Sequence, residues 1–194
     1  MTDFGPFAKM AYMDAKPNPM LLAPINQRVE IQAYDPGWPV RFASERTRLL
    51  QLLPDTFRGI EHFGSTAVPG LAAKPIIDIL AGVDSMLVAD EILLPLCQAG
   101  YDTSKEFNAT LKDQRWLMLH ENGKRTQHLH LVLHGQLEWR RKLAFRDALR
   151  ADCGLAARYE ALKRALASLY CDDREAYTAA KSEFITGVVK SHLP

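Results

Sequence analysis

Two short apolar runs, Ile60-Glu61-His62-Phe63 and Ile76-Ile77-Asp78-Ile79-Leu80, flank the small, hydroxyl-rich stretch that begins Gly64-Ser65-Thr66 and ends Lys74-Pro75. No other feature constrains the fold as tightly. Short runs with Ile and Phe, bounded by Gly and Pro, read as buried strands. A carboxylate inside such a run is costly to bury unless something pairs with it. Asp78 therefore requires a partner, either a cation of the chain itself or a bound one.

The rest of the chain supplies the frame around these strands. Residues 1–26, with Pro6, Pro17, Pro19 and Pro24, read as a loose leader, and 27–194 as a single domain. Alternation of Val29, Ile31 and Ala33 suggests a short edge strand over 28–34, and Trp38 a packing anchor at a helix start. A helix is expected over 40–54, where Val40, Phe42, Leu49, Leu50 and Leu53 share a face, and another over 86–98, closed by Gly100. Strands over 115–121 and 127–134 flank Asn122-Gly123, a strong hairpin signal. Three helices complete the chain from 137 onward. The fold class is α+β, a mixed sheet flanked by helices with a C-terminal helical extension.

Bulk properties narrow the function. The 194 residues carry 24 Lys and Arg against 23 Asp and Glu, a net charge of +1, which argues against a dedicated nucleic-acid binder. Cys97, Cys153 and Cys171 form no Cys-x-x-Cys pair, so they read as small buried hydrophobes in a reducing cytoplasm. No apolar run approaches the ~20 residues of a membrane span, and the N-terminus lacks the basic-then-apolar order of a signal peptide. The expected location is cytoplasmic.

The Gly-Ser turn is not a Walker loop, because Leu71 and not lysine follows Gly70. Nor is it a nucleophile elbow, because Gly64 and Ser65 are adjacent. What remains is a strand ending in small residues whose N–H groups and hydroxyls, those of Ser65 and Thr66, can converge on an anion. Asp78 on the next strand can hold a divalent cation against the same phosphates. The plainer alternatives stand beside these: a helix cap for Ser65 and Thr66, and an ion pair with Lys74 or an arginine for Asp78. Lys74 can turn towards phosphate, since the following proline keeps its backbone extended. Lys142, Arg146 and Arg150, one helical turn apart, form a basic stripe. It is either a solvated helix face or a clamp on a phosphorylated substrate.

The run from Gly64 through Val68-Pro69-Gly70 to Pro75-Ile76-Ile77-Asp78-Ile79 resembles the signature of the GrpB family of the nucleotidyltransferase superfamily. The likeness extends to Tyr34-Asp35-Pro36-Gly37-Trp38-Pro39, Phe145-Arg146-Asp147, Leu149-Arg150, Tyr159, Leu162-Lys163, Tyr177 and Lys181. The resemblance implies a nucleotidyltransferase fold in which a Gly-Ser turn binds a nucleoside triphosphate and acids hold Mg²⁺. Asp78 matches the first acid; Leu80 stands where the second belongs. The later strand offers His128 and His130 instead, which project to one face. Asp78, His128 and His130 then form a mixed metal site, with Glu61 or His62 as neighbours, suited to Zn²⁺, Mn²⁺ or Fe²⁺ more than Mg²⁺. Two hydrogen-bonded groove histidines are the alternative. The implied function is metal-dependent nucleotidyl transfer to a small molecule, with Asp78 and His130 catalytic and Gly64, Ser65, Thr66, Lys74 and Arg146 on the phosphates. The rival is a non-catalytic ligand-binding or regulatory module linked to CoA metabolism, since relatives are fused to dephospho-CoA kinases.

Overall fold

The computed structural model describes residues 28–193; the expected leader over 1–26 lies outside them. Five strands form one mixed sheet: β1 (Gly59–Phe63), β2 (Ile77–Val83), β3 (Tyr101–Asp102), β4 (Gln114–Glu121) and β5 (Lys124–Leu133). Their spatial order is β1-β2-β5-β4-β3. The β2–β5 pair is parallel and the others antiparallel. Asn122 and Gly123 both take positive φ between β4 and β5, as a tight two-residue hairpin turn requires.

Alternation sorts the two central strands onto opposite faces. Ile77, Ile79, Ala81, Leu129 and Leu131 face one way into the main core. That core is covered by α1 (Gly37–Leu52), α2 (Met86–Glu91) and α3 (Leu93–Gln98), with Trp38, Leu49, Ile92 and Leu96 inserted. The other face runs from charged to apolar. Asp78 sits beside His128, Leu80 beside His130, and Gly82 beside Val132. At the apolar end, α5 (Leu137–Ala151) lays Trp139 on the sheet; a Cβ at Gly82 would stand 3.0 Å from its ring. The charged end faces α7 (Arg174–Ala180) and α8 (Ser182–His192) across a cavity. A second core joins α5, α6 (Cys153–Leu169) and α8 to Val68 and Leu71 behind the Gly-Ser turn.

Four expectations are corrected. Residues 28–34 contribute one bridge, Gln32 to Ala73, and no strand; Val29 N–H instead donates to the Cys171 carbonyl. The helix over 86–98 is two, α2 and α3, because Pro95 lacks an N–H and fits only the first turn of a new helix. The last of the three C-terminal helices divides at Lys181 into α7 and α8. The short α4 (Lys105–Ala109), capped by the Ser104 hydroxyl with Glu106 in its first turn, and the short β3 were not among the expected elements. Cys153 is exposed and Cys97 and Cys171 are only half-buried, against the expectation of buried cysteines. Among the described residues, no helix is long and apolar enough to cross a membrane.

Candidate functional site

Strand β1 ends at Phe63, and Gly64 turns the chain into a 3₁₀ turn over Ser65–Ala67. Gly64 has φ 71° and ψ −172°, a conformation essentially reserved for glycine. Its Cα also lies against Asp78, so that an added Cβ would meet the carboxylate. Backbone conformation and the Asp78 side chain therefore both require glycine here. The turn is held from behind, where the Arg150 guanidinium donates to the Ala67 carbonyl at 2.8 and 3.0 Å.

Turn and sheet border a cavity of about 1120 Å³. Gly64, Ser65, Thr66, Lys74, Asp78, His128 and His130, each singled out in the sequence, all line it. Arg146 does not. Its guanidinium donates to Glu61 at 2.8 Å, to Asp147 at 2.8 Å and to the His62 carbonyl at 2.9 Å, which fastens α5 to β1. The expected basic stripe is thus divided: Lys142 enters the cavity while Arg146 and Arg150 fasten structure. Thr66 is buried, and its hydroxyl donates to the Ile76 carbonyl at 3.3 Å. Having one proton, it accepts from His62 Nε2 at 3.0 Å. That bond, and stacking on Phe42, place His62 on the face away from the cavity. Burial pushes the His62 imidazole down to about 4.

Asp78 is opposite His128 in the parallel β2–β5 register, and His128 Nδ1 lies 3.0 Å from its carboxylate. Burial pushes the Asp78 carboxyl up, but the His128 hydrogen bond and the attraction of the surrounding basic groups, His128 foremost, in the protonated forms they take at acid pH outweigh it and hold the group near 2. Burial likewise pushes His128 down to about 4 and His130 well below its ordinary value, so both are neutral at pH 7. One ligand atom from each of Asp78, His128 and His130 lies within 4.8 Å of the other two. The triad read from the sequence is therefore assembled. His130 Nδ1 is buried without a partner among the described residues.

Basic groups crowd this single carboxylate. Lys74 lies over the Tyr177 ring at 4.7 Å, and Lys181 over the same ring at 4.1 Å. Burial, with Arg174 and Lys181 adding to it, pushes the Lys74 ammonium down to about 6. Burial brings Lys181 to about 8, and Lys163, which donates to the Ala72 carbonyl, to about 7. Arg125 and Arg174 both approach His128 Nε2, at 3.5 and 3.4 Å. Nothing in the sequence pointed to either arginine. Arg125 follows a hairpin turn, where exposure is the ordinary expectation, yet it is 5% exposed beneath Trp116.

A two-Mg²⁺ centre does not fit these residues. Such a centre needs oxygen ligands from more than one acid. Leu80, at the position of the second, is fully buried against Val132 and Trp139. Glu61 lies beside Leu80 across β1–β2, but its carboxylate is bound to Arg146.

The GrpB protein family model matches residues 28–191 of the chain. The chain belongs to the GrpB family. It is 38% identical over 170 residues to a UPF0157 protein of Pseudomonas aeruginosa, covering 84% of this chain and 67% of that one. With the UPF0157 protein YqkA of Bacillus subtilis the identity is 36% over 159 residues, covering 82% of this chain but only 46% of the relative. The crystal structure of the conserved protein GrpB from Enterococcus faecalis superposes with a TM-score of 0.75 at 35% identity. That superposition covers 84% of this chain and 96% of that one. The Gly64–Asp78 stretch and the cavity it borders thus sit within the GrpB match.

Proposed function

We propose that the cavity binds a phosphorylated small molecule, a nucleotide or a related phosphate ester. The Gly64–Thr66 turn and the basic side chains opposite it hold the phosphates. The observation that carries this reading is charge: eight basic and three acidic side chains among the described residues line the cavity. Basic groups that are each costly to bury outnumber the carboxylates there, an arrangement suited to an anionic ligand. Asp78 as the single carboxylate of the three-residue cluster, and the apolar packing of Leu80, favour recognition over two-metal transfer, and with it a ligand-binding or regulatory role such as one linked to CoA metabolism.

A second reading, nucleotidyl transfer assisted by one Zn²⁺ or Mn²⁺ at Asp78, His128 and His130, is favoured by the convergence of those three donors. His130, buried and neutral, would either complete the metal's shell or, left off the metal, act as the acid–base group. Calorimetric titration of the purified protein with ATP, CTP, GTP, UTP and CoA, each with Mg²⁺, Mn²⁺, Zn²⁺ or chelator, tests both. Saturable binding of at least one phosphate-bearing ligand is expected. No binding of any under any condition refutes the proposal.

A further inference from the structure

We propose that this cavity binds a di- or triphosphate group without a divalent metal, the basic side chains around Asp78 supplying the positive charge. This rests on the phosphate-binding reading above and disagrees with the metal dependence that a nucleotidyltransferase ancestry implies.

The hydrogen-bond inventory of His128 is the first ground. Arginine only donates. His128 Nε2, approached by Arg174 at 3.4 Å and Arg125 at 3.5 Å, is therefore the acceptor. The ring proton is then on Nδ1, which donates it to Asp78 at 3.0 Å. Both nitrogens are occupied by the chain itself. A metal at the triad would have to displace a guanidinium or break the Asp78 bond. Without His128 the site keeps Asp78 and His130, short of the three protein ligands that a catalytic zinc ordinarily has.

Electrostatics is the second ground. Lys74, Lys142, Arg174 and Lys181 all feel the Asp78 charge. In their protonated forms these four groups repel an entering dication and attract an entering anion, and the anion in turn favours those protonated forms. Asp78 is then the resident counter-ion that keeps the cations together before the ligand arrives. It competes with the ligand for them. A formal surplus of five positive side chains along the wall matches two or three linked phosphates better than one.

The metal-free and metal-assisted readings predict opposite signs for one substitution. A carboxylate that holds a metal is indispensable, whereas one that competes with the ligand is dispensable. Inorganic tripolyphosphate and ATP are titrated into the full chain with EDTA and with added Mg²⁺, Mn²⁺ or Zn²⁺. The wild type, Asp78→Asn and Arg174→Gln are compared. EDTA should change wild-type affinity by less than about threefold, and Asp78→Asn should bind as tightly or up to about tenfold more tightly. Arg174→Gln should bind about tenfold more weakly. If Asp78→Asn fails to fold, the chelator series and Arg174→Gln decide. Binding that requires added metal, or that Asp78→Asn abolishes in a folded protein, overturns the inference and leaves the phosphate cavity standing. Undiminished binding by Arg174→Gln also overturns it. No binding of either probe under any condition overturns both.

Discussion

Gly64→Ala separates two causes that the structure combines at one residue. The first is backbone conformation: φ 71° with ψ −172° costs a residue with a Cβ about 1–3 kcal/mol. The second is contact, because the new Cβ would lie 3.0 Å from both Cβ and Cγ of Asp78 and closer still to its carboxylate oxygen. Forcing a methyl into such a space costs a further ~1–3 kcal/mol. Together the loss is about 2–6 kcal/mol, which for a domain of this size lowers Tm by roughly 10 °C. Gly70→Ala is the control. Gly70 has φ 78° but nothing within 4 Å of an added Cβ, so it should lose only the conformational part, about 1–2 kcal/mol. Urea unfolding of both variants, of Asp78→Ala and of the Gly64→Ala/Asp78→Ala pair measures the contact directly. Truncating Asp78 should recover about 1 kcal/mol or more of the Gly64→Ala loss. Equal losses at Gly64 and Gly70, with no coupling to Asp78, would refute the claim that the carboxylate dictates glycine at the turn.

Arg146→Ala should cost roughly 1–3 kcal/mol of stability through its lost charged hydrogen bonds and leave tripolyphosphate affinity unchanged. A folded variant with weakened binding would place Arg146 among the ligand contacts after all. Leu80→Asp restores the second acid in sequence but puts a charge against Val132 and Trp139. It should lose about 3–5 kcal/mol and gain no transferase activity; a wild-type Tm would show that the position is not sealed. The cavity lysines set a pH dependence. Lys74, Lys163 and Lys181 stand near 6, 7 and 8, each lowered first by burial, below the 10.5 of a free lysine. The unfolded chain therefore binds more protons above each folded value, so their contribution to stability rises with pH from 6 upward. Phosphate affinity should move the other way, falling from pH 6 to 8 as the ammonium charges are lost. Lys74→Met should then raise Tm at pH 7 by a few degrees while weakening tripolyphosphate binding, a trade typical of binding sites; no change in either would show that Lys74 is neither strained nor used.

The Gly64–Asp78 stretch was legible because its signals are local. Ile60 and Phe63 before the glycine turn and the β-branched run Ile76-Ile77-Asp78-Ile79 after it give two strands, and alternation puts His128 and His130 on one face whatever the strand pairs with. The one-turn spacing of Lys142, Arg146 and Arg150 likewise gave a real helical stripe. What each member of that stripe holds was not legible. Successive turns of α5 meet the cavity, then β1, then the Gly-Ser turn, and only the packing of that helix on the sheet decides which cation reaches which partner.

The sequence by itself determined the family, the mixed sheet, and the presence of a glycine turn beside a buried aspartate, because motif, periodicity and turn chemistry act over a few residues. The tertiary structure alone decided what answers Asp78. Inserting β5 between β2 and β4 brings His128 beside a carboxylate fifty positions earlier in the chain. Folding α7 and α8 over the same strands adds Arg174 and Lys181. Charges so distant along the chain interact strongly only when the fold brings them together and burial removes the water that would screen them.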